Sequence, residues 1–285
     1  MKLNLNNPYK LCWWKNSLMI RYDDKFNKII LIPCCRARLI NYIEPLAWDP
    51  EFFINNFKFC INKYKNFDLS NLSKYYFGDC VFSEKDNYPL CNNLYNNHDI
   101  LCIENGISTD CNLRCTMCLV PHEYNKYKSE LYIKVLELLQ DLEINQITLT
   151  SIGEPFIYKK QTIEFVKNCK CSRIYINTNL ILVDENYLKE LKNISNNRNI
   201  IIEFAVSIDG IDKETYEKIR VGSNFEKIIS NLTIANKLGL VHKVHFVKQE
   251  ENKHQWNLYE DYFKSLGIKN VTSALAKGQL LNEIK

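Results

Sequence analysis

The sequence has no long apolar segment. Its longest aliphatic runs, such as Ile29–Ile32, are far too short to span a bilayer, so we expect no membrane-spanning helix. The first residues also lack the apolar core that a secretory signal peptide needs, so we expect no signal peptide. These two absences argue against a membrane partner and a secreted protein.

Charge of one sign is not in large excess either. The chain has 37 Lys and Arg against 33 Asp and Glu, a formal charge of +4, and its basic residues are scattered rather than gathered in a stripe. This pattern gives no sign of a nucleic-acid partner. The 285 residues are 46% hydrophobic and 25% charged, which fits one large globular domain, or a medium domain with a small appendage.

The most informative motif is a triplet of cysteines, Cys111, Cys115 and Cys118, with C-x3-C-x2-C spacing. Electron-transfer iron–sulfur clusters are normally closed by four cysteines. Three thiolates so close in sequence can bind three irons of a cubane [4Fe–4S] cluster and leave the fourth iron without a protein ligand. A cluster held in this way is open to a small molecule.

Two other interpretations of the triplet are open. A zinc knuckle needs a fourth ligand at short spacing, which His122 could supply. Zinc sites more often pair two C-x2-C units, however, and the chain has no second one. A disulfide framework would need a denser set than 12 cysteines in 285 residues, and a secretory signal. The cluster is favoured over both.

From about residue 99 onward, apolar β-branched runs alternate with amphipathic stretches, which predicts a parallel α/β sheet. The predicted strands cover residues 100–104, 146–150, 173–177, 200–207, 241–247 and 270–273. The predicted helices cover residues 129–142, 161–167, 184–191, 212–219, 225–238 and 255–266. Six β/α units are too few for a closed eight-stranded barrel, and the polar motifs fall where strands end, as chemistry does in barrels.

The segment Asp110–Cys118 closely resembles the signature of the radical S-adenosylmethionine (SAM) superfamily. The resemblance implies that SAM chelates the open iron. One electron from the reduced cluster would cleave it to methionine and a 5′-deoxyadenosyl radical, which abstracts hydrogen from a substrate. It further implies an α/β fold, a partial (β/α)6 TIM barrel over residues 99–285, preceded by a cysteine-rich α+β domain over residues 1–98. A low-potential electron donor of flavodoxin or ferredoxin type is the implied partner.

Other motifs resemble the SAM-binding elements of this family. Gly153-Glu154-Pro155 resembles its GEP motif, which would receive the SAM ammonium; alone, it would read as a turn with a solvated Glu. Ser207-Ile208-Asp209-Gly210 resembles a motif of peptide-modifying members. Arg220 matches an arginine that pairs with the SAM carboxylate, the alternative being an ordinary cation at a helix end. The implied cofactor contacts are Met117, Gly153, Glu154, Pro155, Thr178, Asn179, Ser207, Asp209 and Arg220.

The first hundred residues hold a second set of cysteines: Cys12, Cys34, Cys35, Cys80 and Cys91. Their Trp-x-x-Ser-Leu and Pro-Cys-Cys context resembles the SPASM or Twitch segment of many radical SAM enzymes. The segment departs from that pattern where residues 23–26 replace an Asp-Gly turn and where ten residues, not two, separate the last cysteines. The resemblance implies an auxiliary cluster on Cys12, Cys34 (or Cys35), Cys80 and Cys91. An inert β-hairpin cap or a four-thiolate zinc site is the alternative.

The expected function is that of a radical SAM enzyme that oxidises, epimerises or cross-links a C–H position of a ribosomal peptide or protein side chain. A dehydrogenase or epimerase of a sugar or other small molecule is the first alternative. A catalytically silent iron–sulfur or zinc module that recruits a partner is the second. Ligand thiols must stay reduced, so we expect a cytoplasmic protein. The remaining cysteines are expected in the core, unless one reaches the barrel mouth and donates hydrogen: Cys60, Cys102, Cys169 and Cys171.

Overall fold

In the computed structural model the chain divides into two compact units, residues 1–107 and 108–285. The structure describes residues 17–23, 26–32, 46–66, 102–118, 120, 126–149 and 153–275. Several residues named above lie outside these ranges: Cys12, Cys34, Cys35, Cys80, Cys91 and His122. Within the ranges, no helix is both long and apolar enough to cross a bilayer.

The N-terminal unit contains a mixed sheet and two short helices. Its elements are β1 (Ser17–Asp23), β2 (Lys28–Ile32), β3 (Ala47–Trp48), α1 (Pro50–Asn55), α2 (Phe57–Lys65) and β4 (Cys102–Asn105). Strand β1 pairs antiparallel with β2 and parallel with β4, and β2 pairs antiparallel with β3. Asp49 caps α1 by accepting hydrogen bonds from the backbone N–H groups of Glu51 and Phe52.

The β1–β2 hairpin turns without a glycine. Asn27, just before β2, has a φ of 49°, and its Oδ1 accepts a hydrogen bond of 2.8 Å from the Tyr22 hydroxyl. Asn tolerates this left-handed conformation better than most residues. It therefore does here what the glycine of an Asp-Gly turn would do.

The C-terminal unit is built on five parallel strands, β6 (Gln146–Leu149), β7 (Arg173–Thr178), β8 (Ile201–Ser207), β10 (Val241–Lys248) and β11 (Val271–Leu275). Their spatial order is β11–β10–β8–β7–β6. A separate antiparallel ribbon joins β5 (Arg114–Cys115) to β9 (Arg220–Val221). The helices are α3 (Lys126–Leu139), α4 (Lys159–Asn168), α5 (Glu185–Arg198), α6 (Lys213–Ile219), α7 (Phe225–Lys237) and α8 (Trp256–Ser265). Single 3₁₀ turns span Pro155–Tyr158 and Lys253–Gln255.

The parallel α/β prediction is confirmed, and the order of strands and helices is consistent with a partial barrel. Helix α5 runs about two turns past its predicted end at residue 191, because Ile194 and Ser195 continue its buried stripe. It ends at Asn199, which has a φ of 52°. Helix α3 ends at Leu139, three residues before the prediction.

The sheet of this unit has an apolar face and a polar face. The apolar face packs against a helix and a 3₁₀ turn. The ring centroid of Phe204 lies 5.6 Å from that of Phe156 in the first 3₁₀ turn, and the ring centroid of Phe246 lies 4.4 Å from that of Tyr259 on α8. Alternate residues of the same strands point the other way, because side chains alternate along a strand. We call this second set the polar face: Arg173, Tyr175, Asn177, Glu203, Ser207, Lys243, His245 and Thr272.

Candidate metal and cofactor site

The three cysteines of the triplet lie on one loop that is fastened to the rest of the C-terminal unit. Cys115 pairs with Arg220 in the β5–β9 ribbon, and the N–H of Thr116 donates to the Ile219 carbonyl at 2.9 Å. The N–H of Cys118 closes a turn onto the Cys115 carbonyl at 3.0 Å. The loop therefore has a fixed backbone path.

All three thiols are free and only partly buried. Burial raises the pKa of Cys111 to about 11. The hydrogen bond from Leu113 N–H acts to lower this pKa, whereas the charges of Glu154, Cys115 and Cys118 act to raise it. The thiols are thus close enough to repel one another as thiolates, which is the condition that a positively charged metal centre relieves.

The residues present fit a cubane cluster. Three free thiols share one loop and interact electrostatically. Across the part of the chain that the structure describes, no three His, Cys, Asp or Glu side chains are placed to hold one metal ion. In a cubane each thiolate binds a different iron, so convergence on one point is not required. Cys111, Cys115 and Cys118 would hold three of the four irons.

A buried carboxylate immediately before the triplet anchors the start of the loop. Asp110 Oδ2 accepts hydrogen bonds from the hydroxyls of Tyr158 and Ser129, the latter at 2.5 Å. The Ser108 hydroxyl lies 2.8 Å from that of Tyr158 and accepts from Asp110 N–H at 3.1 Å. Burial, with Asp110 beside it, raises the pKa of Tyr158 to about 12, so its hydroxyl stays protonated and can donate.

The Gly153-Glu154-Pro155 loop packs directly on this anchor. The N–H of Glu154 donates to the Asp110 carbonyl at 2.7 Å. A Cβ on Gly153 would lie 2.0 Å from the same carbonyl oxygen, so only glycine fits there without a shift of backbone. Pro155 opens the 3₁₀ turn that follows.

The Glu154 side chain joins this loop to the end of β7. It is buried rather than solvated, and its carboxylate accepts from Thr178 Oγ1 and Asn179 N at 2.7 Å each and from Phe156 N at 3.1 Å. Burial raises the pKa of Glu154 to about 7, while these three donors lower it. The Asn179 amide donates to Asn112 Oδ1 at 2.9 Å and so ties the end of β7 to the cysteine loop.

Ser207 ends β8, and Asp209, two residues later, forms a buried ion pair with Arg220. Asp209 Oδ2 lies 2.7 Å from Arg220 Nε, although the N–H does not point straight at it, so the contact is an ion pair rather than a well-aligned hydrogen bond. Asp209 Oδ1 accepts from Val247 N at 2.7 Å. Burial alone would lower the pKa of Arg220, but Asp209 and Cys115 raise it above its ordinary value.

Arg220 is therefore not an ordinary exposed cation at a helix end. Its Nη1 also lies 3.8 Å from Cys115 Sγ, so the guanidinium touches a residue of the triplet. Met117 lies between Cys115 and Cys118 and is partly buried. The structure thus gathers the cysteine loop and the ends of β7 and β8 by direct bonds.

The remaining cysteines in the described ranges lie away from this site. Cys169 and Cys171 are buried just before the first residue of β7, at the opposite end of that strand from Thr178. They do not reach the end of the sheet to which the cysteine loop is bonded. A role for them as hydrogen donors to a substrate radical at that end is therefore not supported. Cys60 is buried in the N-terminal unit. The side chain of Cys102 lies outside what the structure describes.

Sequence reasoning found the triplet and the motifs at the strand ends, but it missed three contacts: the hydroxyls around Asp110, the Asn112–Asn179 bond, and the Asp209–Arg220 pair. No local pattern joins those residues. The Asn112–Asn179 pair, for instance, is separated by 67 positions. The one usable signal was the position of Asp110 beside the first cysteine of the triplet.

This fold and this site define a parallel α/β protein with three free cysteine thiols gathered where its strands end. Residues 106–261 match the family model of the radical SAM superfamily, which covers more than half of the chain. The chain belongs to the radical SAM superfamily of enzymes, whose members use a [4Fe–4S] cluster and SAM.

Several curated proteins are similar to the chain. A probable GTP 3′,8-cyclase of Methanococcus maripaludis strain C5 is 29% identical over 169 residues, covering 57% of this chain and 54% of that protein. A GTP 3′,8-cyclase of Peptoclostridium acidaminophilum is 30% identical over 146 residues, covering 47% and 42%. The chain thus spans about half the length of these relatives.

Among solved structures, Streptococcus suis SuiB bound to the precursor peptide SuiA is similar with a TM-score of 0.49 and 17% identity. The match covers 80% of this chain and 52% of SuiB.

Proposed function

We propose that this protein cleaves SAM reductively at a [4Fe–4S] cluster held by Cys111, Cys115 and Cys118. The observation that carries the proposal is that three free, mutually interacting thiols share one loop, which is bonded to the ends of the neighbouring strands. When bound, the cluster would supply the electron that splits SAM into methionine and a 5′-deoxyadenosyl radical, which then takes hydrogen from the substrate.

The chain's own residues would hold SAM in place. Around the GEP loop, backbone carbonyls accept the SAM ammonium, while Glu154 fixes the loop through its three donors. Ser207 donates to the carboxylate or ribose, and Arg220 supplies positive charge beside the carboxylate. The proposed contacts are those implied by sequence: Met117, Gly153, Glu154, Pro155, Thr178, Asn179, Ser207, Asp209 and Arg220.

For the substrate we propose a polar, anionic small molecule. The polar face carries Lys243, whose pKa burial lowers, and among the described residues no acidic side chain forms an ion pair with its ammonium. A partly buried cation without an acidic partner favours an anionic ligand. The similar curated proteins are named for action on GTP, which is such a molecule.

His245 lies near Lys243 on the same face. Burial, with Lys243 and Arg220 nearby, lowers the pKa of His245 to about 4, so its ring is neutral at pH 7. The Thr272 hydroxyl donates to the Val244 carbonyl at 3.2 Å, so His245 Nδ1 donates to Thr272 Oγ1 at 2.9 Å. This assignment leaves Nε2 as the acceptor of the ring, available to a donor on the substrate.

A ribosomal peptide or protein side chain is the second candidate substrate. It is supported by the resemblance of Ser207-Ile208-Asp209-Gly210 to the motif of peptide-modifying members. The substrate affinity of the Lys243→Gln variant, compared with that of wild type, distinguishes the two candidates. An anionic small-molecule substrate should lose affinity roughly tenfold or more, since a charge-assisted contact contributes about 1.5–3 kcal/mol. A peptide substrate without an anionic group should bind as before.

We also propose that the cysteines of the first hundred residues hold an auxiliary iron–sulfur cluster, with Cys12, Cys34 (or Cys35), Cys80 and Cys91 as ligands. The protein should then bind about eight irons per chain after anaerobic reconstitution, against about four for one [4Fe–4S] cluster. An iron content of about four, or zinc in place of iron, would leave these residues as a structural cap.

SAM cleavage tests the main proposal. Reconstituted protein, with dithionite or a flavodoxin- or ferredoxin-type donor, should convert SAM to 5′-deoxyadenosine. A protein that assembles its cluster but produces no 5′-deoxyadenosine would instead be a catalytically silent module that recruits a partner.

A further inference from the structure

The Arg220 guanidinium touches a sulfur atom that would belong to the cluster, and it does so from a buried position. Arg220 Nη1 lies 3.8 Å from Cys115 Sγ, within hydrogen-bond range for sulfur. Only 7% of the Arg220 surface is exposed, so water does not weaken this contact as it would at the surface. Antiparallel pairing of the two residues in the β5–β9 ribbon holds their backbones together.

Asp209 fixes the direction of the guanidinium. Its Oδ2 faces Arg220 Nε at 2.7 Å, while its Oδ1 and its carbonyl are held by Val247 N at 2.7 Å and Asn252 Nδ2 at 3.1 Å. The carboxylate is fully buried and cannot swing toward solvent. With Nε in contact with Asp209 Oδ2, Nη1 is the group that reaches Cys115.

A donor to a ligand sulfur changes the energy of the two oxidation states of a cluster unequally. The reduced state carries one more negative charge, part of it on the sulfurs, and a hydrogen bond or positive charge there stabilises it more than the oxidised state. Hydrogen bonds to the sulfurs are among the features that set iron–sulfur potentials.

We propose that Arg220 raises the reduction potential of the cluster through its contact with Cys115 Sγ, and that Asp209 positions it for this role. The inference rests on the proposed function, because it requires the cluster at Cys111, Cys115 and Cys118. In the step concerned, an external donor loses one electron and the cluster gains it, and no covalent bond is made or broken in the protein. Arg220 thereby makes it easier for a donor of modest potential to reduce the cluster.

The test is a potentiometric titration of the reconstituted protein without SAM, followed by electron paramagnetic resonance of the reduced cluster. Arg220→Gln should shift the midpoint to more negative values. We expect a roughly tenfold lower ratio of reduced to oxidised cluster at a fixed solution potential, equivalent to about 59 mV for a one-electron couple. Arg220→Lys keeps the charge and should recover part of the shift.

Two further variants separate this role from general damage. Lys218→Gln removes an exposed cation two residues away and should leave the midpoint unchanged. Asp209→Asn removes a buried negative charge and also the partner that directs Arg220. The shift in midpoint that it causes should therefore be more positive in the Arg220→Gln background than in the wild-type background, where the contact of Arg220 with Cys115 is lost as well. Equal shifts in the two backgrounds would mean that Asp209 does not position Arg220.

An Arg220→Gln protein with wild-type iron content and an unchanged midpoint would overturn the inference and leave the proposed cluster intact. Wild-type protein that assembles no [4Fe–4S] cluster would instead overturn the proposed function. If Arg220→Gln does not fold, the Arg220→Lys midpoint decides: it should lie below that of wild type, and an unchanged midpoint would refute the role.

Discussion

Replacing Gly153 by Ala should push the GEP loop away from the cysteine loop. The added Cβ would lie 2.0 Å from the Asp110 carbonyl oxygen, 2.7 Å from its carbon and 2.8 Å from its nitrogen, all backbone atoms that no rotamer change can move. Ordinary contact begins at 3.4 Å, so the loops must separate by about 1.4 Å. The neighbouring Glu154 N–H bond to the same oxygen, 2.7 Å long, would then be broken.

We expect Gly153→Ala to lower the free energy of unfolding by about 1–3 kcal/mol, as overpacking does. SAM affinity should fall more than iron content, because the shift moves the loop proposed to bind SAM and leaves the three thiols in place. Denaturant unfolding, iron analysis and equilibrium binding of SAM measure the three quantities on the same anaerobic preparation.

Gly239→Ala is the matched control. Gly239 has a φ of 68°, but a Cβ there meets only Lys192 Nζ at 4.0 Å. It should therefore lose about 1 kcal/mol from backbone strain and keep its SAM affinity. If Gly153→Ala matched wild type in stability and in SAM affinity, the close packing of the GEP loop on Asp110 would not matter as argued.

Three further outcomes are expected. Cys115→Ala should abolish 5′-deoxyadenosine formation while the protein still folds, checked by product analysis and circular dichroism; substantial product from the variant would refute the ligand assignment. Ser207→Ala should raise the SAM dissociation constant roughly tenfold without lowering iron content, and equal affinity would show that Ser207 does not touch SAM. Acidification should destabilise the folded protein through His245. Its pKa of about 4 in the folded state lies below the unfolded value near 6.5. The free energy of unfolding should therefore fall between pH 6.5 and pH 4, by at most about 3 kcal/mol. His245→Asn should show a shallower decline over that range, measured by denaturant unfolding, and an identical pH profile would contradict the assignment.

The elements that the sequence predicted well are those with a strong period and clear caps. Helix α6 begins at Lys213 because Asp212 accepts from Thr215 N, a cap visible in the sequence. Strands β7 and β8 follow β-branched runs and lie within a residue of their predicted bounds. These signals are local, so the sequence alone reveals them.

The contacts that organise the site are not local, and the sequence could not reveal them. The sequence by itself predicts Glu154 to be a solvated turn residue. The fold instead buries it at the end of β7, where Thr178 and Asn179 donate hydrogen bonds to its carboxylate. The β5–β9 ribbon has only two residues in each strand and no period to detect. It brings the backbone of Arg220 beside that of Cys115, so the contact with sulfur follows from the fold rather than from a motif.

The central claim is that Cys111, Cys115 and Cys118 hold a cluster that cleaves SAM, and the formation of 5′-deoxyadenosine under anaerobic reduction tests it most directly. Wild-type protein and a Cys171→Ala control, which loses a buried thiol away from the site, should both form it. The triple alanine variant of the three cysteines should form none. Equal product from the triple variant, or none from a wild-type protein with a full [4Fe–4S] cluster, would contradict the account.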